Sequence, residues 1–301
     1  MFSSFVLLFM VSVYPLFRRV SVITSQKADK IPERAKILSK KQSPKTISYR
    51  CFRVIRWLID LFYPKVKLEG LEHIPQEPCL LVGNHCQMHG PIIAELHIPG
   101  KRAIWCAGAM MELKEVPAYA YADFWCHKPR WSKWFYKILS YVIAPVSVCI
   151  FNHAQTIPVY RDGRVMNTFR RTVQKLEEGA NVVVFPECPE DYNGIVQRFQ
   201  EGFADIARLY YKRTGRQLQM VPMYIAPKLK KVCFGRPIRY CAANPKEEER
   251  ARLRQALMDA VTELAVALPP HTVVPYNNIS KRLYPTNVPR EVPDPNEKTG
   301  C

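Results

Sequence analysis

Val82-Gly83-Asn84-His85 and, much later, Val183-Val184-Phe185-Pro186-Glu187 decide how this chain folds. Each is a short apolar run that stops abruptly at polar residues with acid–base or hydrogen-bonding capacity. Runs of this length and composition predict buried strands. In α/β folds, a buried strand delivers its chemistry at its carboxyl end. One end here offers Asn84 and His85, and the other offers Phe185, Pro186 and Glu187.

Further elements flank the two runs. Val66 to Gly70 predicts a strand and turn, Pro91 to Leu96 a helix, and Arg102 to Met110 a strand. Ile157 to Tyr160 is a strand ending at Arg161-Asp162-Gly163-Arg164, and Val165 to Glu178 is helical in pattern, with Gly179 as its stop. Phe203, Ile206, Ala207 and Tyr210 mark another helix. Met220 to Ala226 and Val232 to Phe234 are strands, and Pro245 to Leu268 closes the pattern as a helix. Alternating strands and helices predict an α/β fold with a mixed sheet flanked by helices. The Pro-rich stretch from residue 269 to 301 is expected to be extended and peripheral.

At 301 residues and 48% hydrophobic content, the chain has material for one large core, and global disorder is excluded. A net charge of +18 implies contact with a polyanion, against the plainer reading of a soluble basic protein. No base-reading motif is present and the aromatic residues cluster in apolar runs, so an anionic membrane surface is expected rather than nucleic acid. Phe2 to Phe17 is almost wholly apolar. As a helix it reaches about 24 Å, short of a roughly 30 Å hydrocarbon core. Arg18 and Arg19 follow it, which predicts an uncleaved anchor holding the rest of the chain on the cytoplasmic face. Residues 1–24 are thus a hydrophobic anchor, and 25–64 a basic linker with an amphipathic helix from about Tyr49. In that helix Arg50, Arg53 and Arg56 interleave apolar positions, as they do in both an interfacial and a core-packing helix. Trp131 to Phe151 is aromatic at its start, with Lys133 and Lys137 interspersed, and Pro145 argues against a straight spanning helix. A helix docked partly into one leaflet is expected.

The ten cysteines show no Cys-x-x-Cys spacing and imply reduced thiols in a cytosolic compartment. His85, Cys86 and His89 lack a fourth ligand at sensible spacing, so no metal is expected. Cys188 lacks the glycine-flanked elbow of a hydrolase nucleophile.

Four blocks in order are similar to the glycerolipid acyltransferase family (lysophosphatidic acid and glycerol-3-phosphate acyltransferase-like). They are Gly70-Leu71-Glu72-His73-Ile74-Pro75 leading to Asn84-His85; Ile157 to Arg164; Phe185-Pro186-Glu187; and Val221-Pro222-Met223-Tyr224-Ile225 followed by Phe234-Gly235-Arg236-Pro237-Ile238. The resemblance implies an acyltransferase-like α/β domain over residues 65–268. It also implies transfer of a fatty acyl group from acyl-CoA or acyl-acyl carrier protein to a hydroxyl of a lipid acceptor, with no further cofactor. Carried over by position, His85 is the general base with Asn84 beside it, and Arg161 grips the acceptor's phosphate with Arg164 as helper. Phe185, Pro186 and Glu187 shape the polar pocket around the acceptor.

Two departures stand out. The family motif Asn-His-x4-Asp meets Gly90 where its aspartate belongs, and Gly-Thr-Arg-Ser after the glutamate is replaced by Cys188-Pro189-Glu190-Asp191. A carboxylate in such a dyad orients the imidazole and stabilises its charged form. Three readings follow. Glu190 or Asp191 swings toward His85 and restores the dyad; or the enzyme is slow or takes an unphosphorylated acceptor; or the chain is a catalytically impaired relative that binds lipid at a membrane. An active acyltransferase with an unusual acceptor is expected, because both strand-end strings survive.

Overall fold

The computed structural model describes residues 47–126, 128–160 and 162–290. The expected N-terminal anchor, the basic stretch up to residue 46 and Arg161 lie outside the described residues. In chain order the helices are α1 (Ile47–Phe62), α2 (His89–Leu96), α3 (Val116–Ala120), α4 (Lys133–His153), α5 (Val165–Glu177), α6 (Asp205–Thr214) and α7 (Lys246–Val266). The strands are β1 (Lys67–Glu69), β2 (Leu80–Gly83), β3 (Arg102–Ala107), β4 (Thr156–Val159), β5 (Asn181–Val184), β6 (Glu187–Asp191), β7 (Gln197–Phe199), β8 (Gln219–Ala226), β9 (Lys231–Phe234) and β10 (Ile238–Arg239). The chain divides into two compact units, with the boundaries falling near Pro64, within β3 and near Asp162.

The larger unit joins Lys65–Trp105 to Gly163–Cys301. Its sheet runs in the order β1-β9-β8-β2-β5-β3, with β10 beside the start of β8. β2 is parallel to both β5 and β8, β3 is parallel to β5, and β9 is antiparallel to β8, so the sheet is mixed. The apolar runs occupy its centre because strands covered on both faces leave no exposed side to make polar: Leu80, Leu81, Val82 and Val182 to Val184 are all inaccessible to solvent. In α7, Leu253, Leu257, Val261 and Ala265 recur every four residues and are buried with Met258, giving the helix one apolar stripe to pack. In α5 the buried stripe is Thr168, Phe169, Thr172, Val173 and Leu176.

Register then positions the site. Val82 is opposite Val184 in the parallel pair, and three residues beyond each come His85 and Glu187. The two strings therefore leave the sheet side by side. Past β5 the chain turns into an antiparallel hairpin, β6–β7, which pairs Glu187 with Phe199 and Asp191 with Gln197.

The C-terminal stretch corrects the expectation of a peripheral tail. Val273 and Val274 are buried, and Asn287 accepts the His271 backbone N–H at 2.9 Å while donating to the Ala265 carbonyl at 2.9 Å. His271 Nδ1 donates to the Pro269 carbonyl at 2.8 Å, which leaves Nε2 to accept the Tyr224 hydroxyl at 2.9 Å. An apolar pair and two buried polar side chains thus tie this Pro-rich segment to β8 and the end of α7.

The smaller unit joins Met1–Pro64 to Cys106–Asp162. Residues 106–162 cluster with α1 in this unit. Its apolar centre holds Met110, Val116, Ala120, Trp125, Leu139 and Ile143, and a second cluster joins Phe52 and Ile55 of α1 to Val146 and Cys149 of α4. Ser48 Oγ lies 2.7 Å from His153 Nε2 across these two helices. α4 runs through Pro145 as one 21-residue helix. Within the described residues, the segment from Arg130 to His153 is the one helix long and apolar enough to cross a membrane. Trp131, Trp134, Phe135, Ile138 and Tyr141 at its start are exposed, as are Val54, Trp57, Leu61 and Phe62 of α1.

Candidate active site

The turn after β2 is conformationally costly. Cys86 and Gln87 both adopt positive φ, at 50° and 54°, a region that side-chain-bearing residues seldom enter and that clusters at functional sites. The strain is held in place by bonds on either side. Asn84, only 2% exposed, donates from Nδ2 to the Ile225 carbonyl at 3.0 Å and accepts the Ile225 N–H at Oδ1 at 2.7 Å. Its amide thereby continues the β2–β8 pairing by one more rung, and its Nδ2 also lies 2.8 Å from Cys86 Sγ.

Glu187 is 3% exposed, and both of its oxygens are engaged by backbone. Oε2 accepts the His85 N–H at 2.7 Å and Oε1 accepts the Gln197 N–H at 3.0 Å. Burial pushes this carboxyl up to about 7, and the two N–H donors pull against that rise. The side chain is spent on joining the β2 end to the β6–β7 hairpin.

The His85 ring sits between two aromatic rings, Phe185 at 5.3 Å and 75° and Tyr276 at 5.4 Å and 77°, both edge-on. Its Nδ1 is buried without a hydrogen-bonding partner. Burial lowers the imidazole's proton affinity to about 4, offset only in part by the Gln87 backbone. Gln87 Nε2 in turn donates to the Asn277 carbonyl at 3.1 Å and to the Tyr284 hydroxyl at 2.9 Å, pinning the turn to the C-terminal segment.

Gly90 is the second residue of α2, and its N–H donates to the His85 carbonyl at 3.0 Å. A Cβ at this position would lie 2.2 Å from that same carbonyl oxygen and 3.2 Å from Phe185 Cε1. Glycine at the place of the motif aspartate is thus required by this turn.

Glu190 and Asp191 do not restore the dyad. Glu190 pairs with Arg198 at 3.4 Å, and Asp191 accepts the Gly194 N–H at 3.0 Å and faces Arg290 at 3.6 Å. Both are exposed on the hairpin, because the β6 pleat that turns Glu187 inward carries the strand's end out to solvent. Arg164 immediately precedes α5 and is exposed. The Pro186 carbonyl accepts the Gln200 N–H at 2.8 Å, closing the hairpin base. Tyr276, Tyr284 and Gln87 were missed by sequence reasoning; the one signal for them was a pair of tyrosines in an otherwise Pro-rich stretch. Among the described residues, no group of three or more His, Cys, Asp or Glu side chains is gathered to hold a metal ion.

The acyltransferase family model matches residues 124–226, a stretch that contains β4, β5 and the Phe185-Pro186-Glu187 string. Over those residues, about a third of its length, the chain is similar to the acyltransferase family. Among solved structures, the crystal structure of the 1-acyl-sn-glycerophosphate (LPA) acyltransferase PlsC from Thermotoga maritima is similar at 18% identity and a TM-score of 0.44, covering 88% of this chain and 95% of that one. No protein of curated function matches the sequence.

Proposed function

We propose that this chain transfers a fatty acyl group from an acyl thioester, acyl-CoA or acyl-acyl carrier protein, to a hydroxyl of a glycerolipid-like acceptor, with His85 as general base. The observation that carries this reading is the placement of His85: its backbone is tied by Glu187 at the carboxyl end of β2, and its ring is held between Phe185 and Tyr276. Nδ1 is enclosed, so Nε2 is the nitrogen that meets the acceptor hydroxyl. It removes the hydroxyl proton as the oxygen attacks the thioester carbonyl. The tetrahedral intermediate then expels the thiolate, which takes the proton back from the imidazolium.

Arg161 and Arg164 are assigned to the polar head of the acceptor. Cys188-Pro189-Glu190-Asp191 supplies no arginine after Glu187 to hold a phosphate, so the preferred acceptor is unphosphorylated at its reacting end. Exposed aromatic residues on α1 and α4, interleaved with Arg50, Arg53, Arg56, Lys133 and Lys137, support association with an anionic membrane at its cytoplasmic face.

Purified full-length chain, given acyl thioester and a panel of phosphorylated and unphosphorylated acceptors, tests the reading through acceptor-dependent thiol release. Loss of a general base lowers turnover by roughly 10²–10⁴-fold, which is the effect expected of His85→Ala. Release that persists unchanged in that variant refutes the assigned base. The unpartnered Nδ1 favours a second reading, a lipid-binding relative of impaired activity; co-purified lipid without thiol release identifies it.

A further inference from the structure

We propose that Tyr276, carried on the C-terminal segment, is the positioning residue that orients the His85 imidazole, a task done elsewhere by a carboxylate. The inference rests on His85 as general base and adds what aims it. A catalytic imidazole needs its ring plane defined, or the attacking hydroxyl meets it in the wrong direction. Among the described residues no carboxylate supplies that definition, and the Gln87 backbone is a polar neighbour of the ring. Nδ1 has no partner, Glu187 has both oxygens on backbone amides, and Glu190 and Asp191 bond on their own hairpin. Position 90 has no room for a side chain.

What the ring does have is an aromatic clamp. The two near-perpendicular contacts from Phe185 and Tyr276 fix its plane, since edge-to-face aromatic pairs have a preferred geometry that a tilt of the ring destroys. Phe185 is held by its place at the end of β5. Tyr276 is held by the segment around it: buried Val273 and Val274 before it, the His271–Tyr224 bond, and Gln87 bonding the neighbouring Asn277 carbonyl and the Tyr284 hydroxyl. The titratable groups around the imidazole are Cys86 beside it, His89 at the start of α2, Glu187 from β6 and Tyr276 itself. Of these, Tyr276 sets its ring edge-on to the imidazole at 5.4 Å. A segment outside the strand-end strings thereby completes the site.

Three full-length variants test it, Tyr276→Phe, Tyr276→Leu and Tyr276→Ala, each checked for folding by thermal melting. Turnover and KM are measured alongside the titration of the His85 ring by NMR, assigned by comparison with His85→Gln. Tyr276→Phe keeps the ring and is expected to retain turnover and titration. Tyr276→Leu keeps apolar bulk without the ring, and is expected to lose roughly tenfold to a hundredfold in kcat with KM little changed. Its His85 titrates higher, by roughly one unit, as water reaches the imidazole. Wild-type kcat and titration in the folded Leu and Ala variants overturn the proposal, as does a Phe variant damaged as badly as Leu. Failure of the general-base reading is seen separately, as full turnover in His85→Ala, and the titration then still decides whether the clamp exists.

Discussion

Glu187 Oε2 lies 2.7 Å from the backbone nitrogen of His85, and its Oε1 lies 3.0 Å from that of Gln197. One buried carboxylate thus welds the two strand-end strings together. It was expected beside the acceptor hydroxyls; both of its oxygens are instead taken up by backbone amides.

Glu187→Gln turns an NH2 group toward one of the two backbone donors and leaves that N–H unsatisfied. An unsatisfied buried donor costs about 1–3 kcal/mol, readable by urea unfolding. Turnover falls by roughly tenfold or more because the His85 backbone shifts. A Gln variant of unchanged stability and turnover contradicts the weld.

Gly90→Asp tests the missing motif residue. Because the first atom added is already 2.2 Å from the His85 carbonyl oxygen, the damage arises at Cβ. Gly90→Ala and Gly90→Asp should therefore lose similar stability, about 1–3 kcal/mol as in other overpacked sites. Neither should gain activity. A rise in acyl transfer in the Asp variant would show that the turn relaxes and that a dyad can be rebuilt.

The two buried ionisable groups give opposite pH trends. His85 is lowered from 6.5 to about 4, so the unfolded chain takes up its proton first, and stability falls as pH drops through that window. Glu187 is raised from 4.5 to about 7, so its contribution is complete below 4.5 and is lost as pH rises through 7. Between these limits the trends offset. Unfolding measured from pH 4 to 8 should show His85→Gln gaining on the wild type toward the acid end and Glu187→Gln gaining on it toward neutral pH. In kcat/KM the acid limb should lie near 4 instead of 6.5, and a limb at the ordinary histidine value would contradict the buried ring.

Trp131 and Trp134 are 80% and 66% exposed at the start of α4. Replacing both with Ser should weaken sedimentation with anionic vesicles by about tenfold or more, given roughly 1 kcal/mol per half-buried apolar side chain. Neutral vesicles should bind the wild type less well because the basic residues then lack a partner. Equal vesicle binding by wild type and double variant removes this face from membrane contact.

Most elements of the larger unit were legible because their signals are local. Leu80 to Gly83 was read without error, and Asn181 to Phe185 and Val165 to Glu178 to within one residue. The β6–β7 hairpin was not, since Cys188-Pro189-Glu190-Asp191 has neither alternation nor strand propensity; it pairs because Glu187 is anchored at its base. The closing segment was misread because proline content suggests a loose tail, while His271 meets Tyr224 of β8 and Asn287 meets Ala265 of α7.

From the residues alone came two buried strands, the acid–base groups at their ends and the family they resemble, because apolar runs and their termini are read within a few positions. Only the folded chain could decide what those groups touch. Glu187 meets a backbone amide, Gly90 is crowded by a carbonyl, and Tyr276 reaches His85 across most of the sequence. Each depends on strand register and on a strained turn at Cys86 and Gln87, and neither is written in any local pattern.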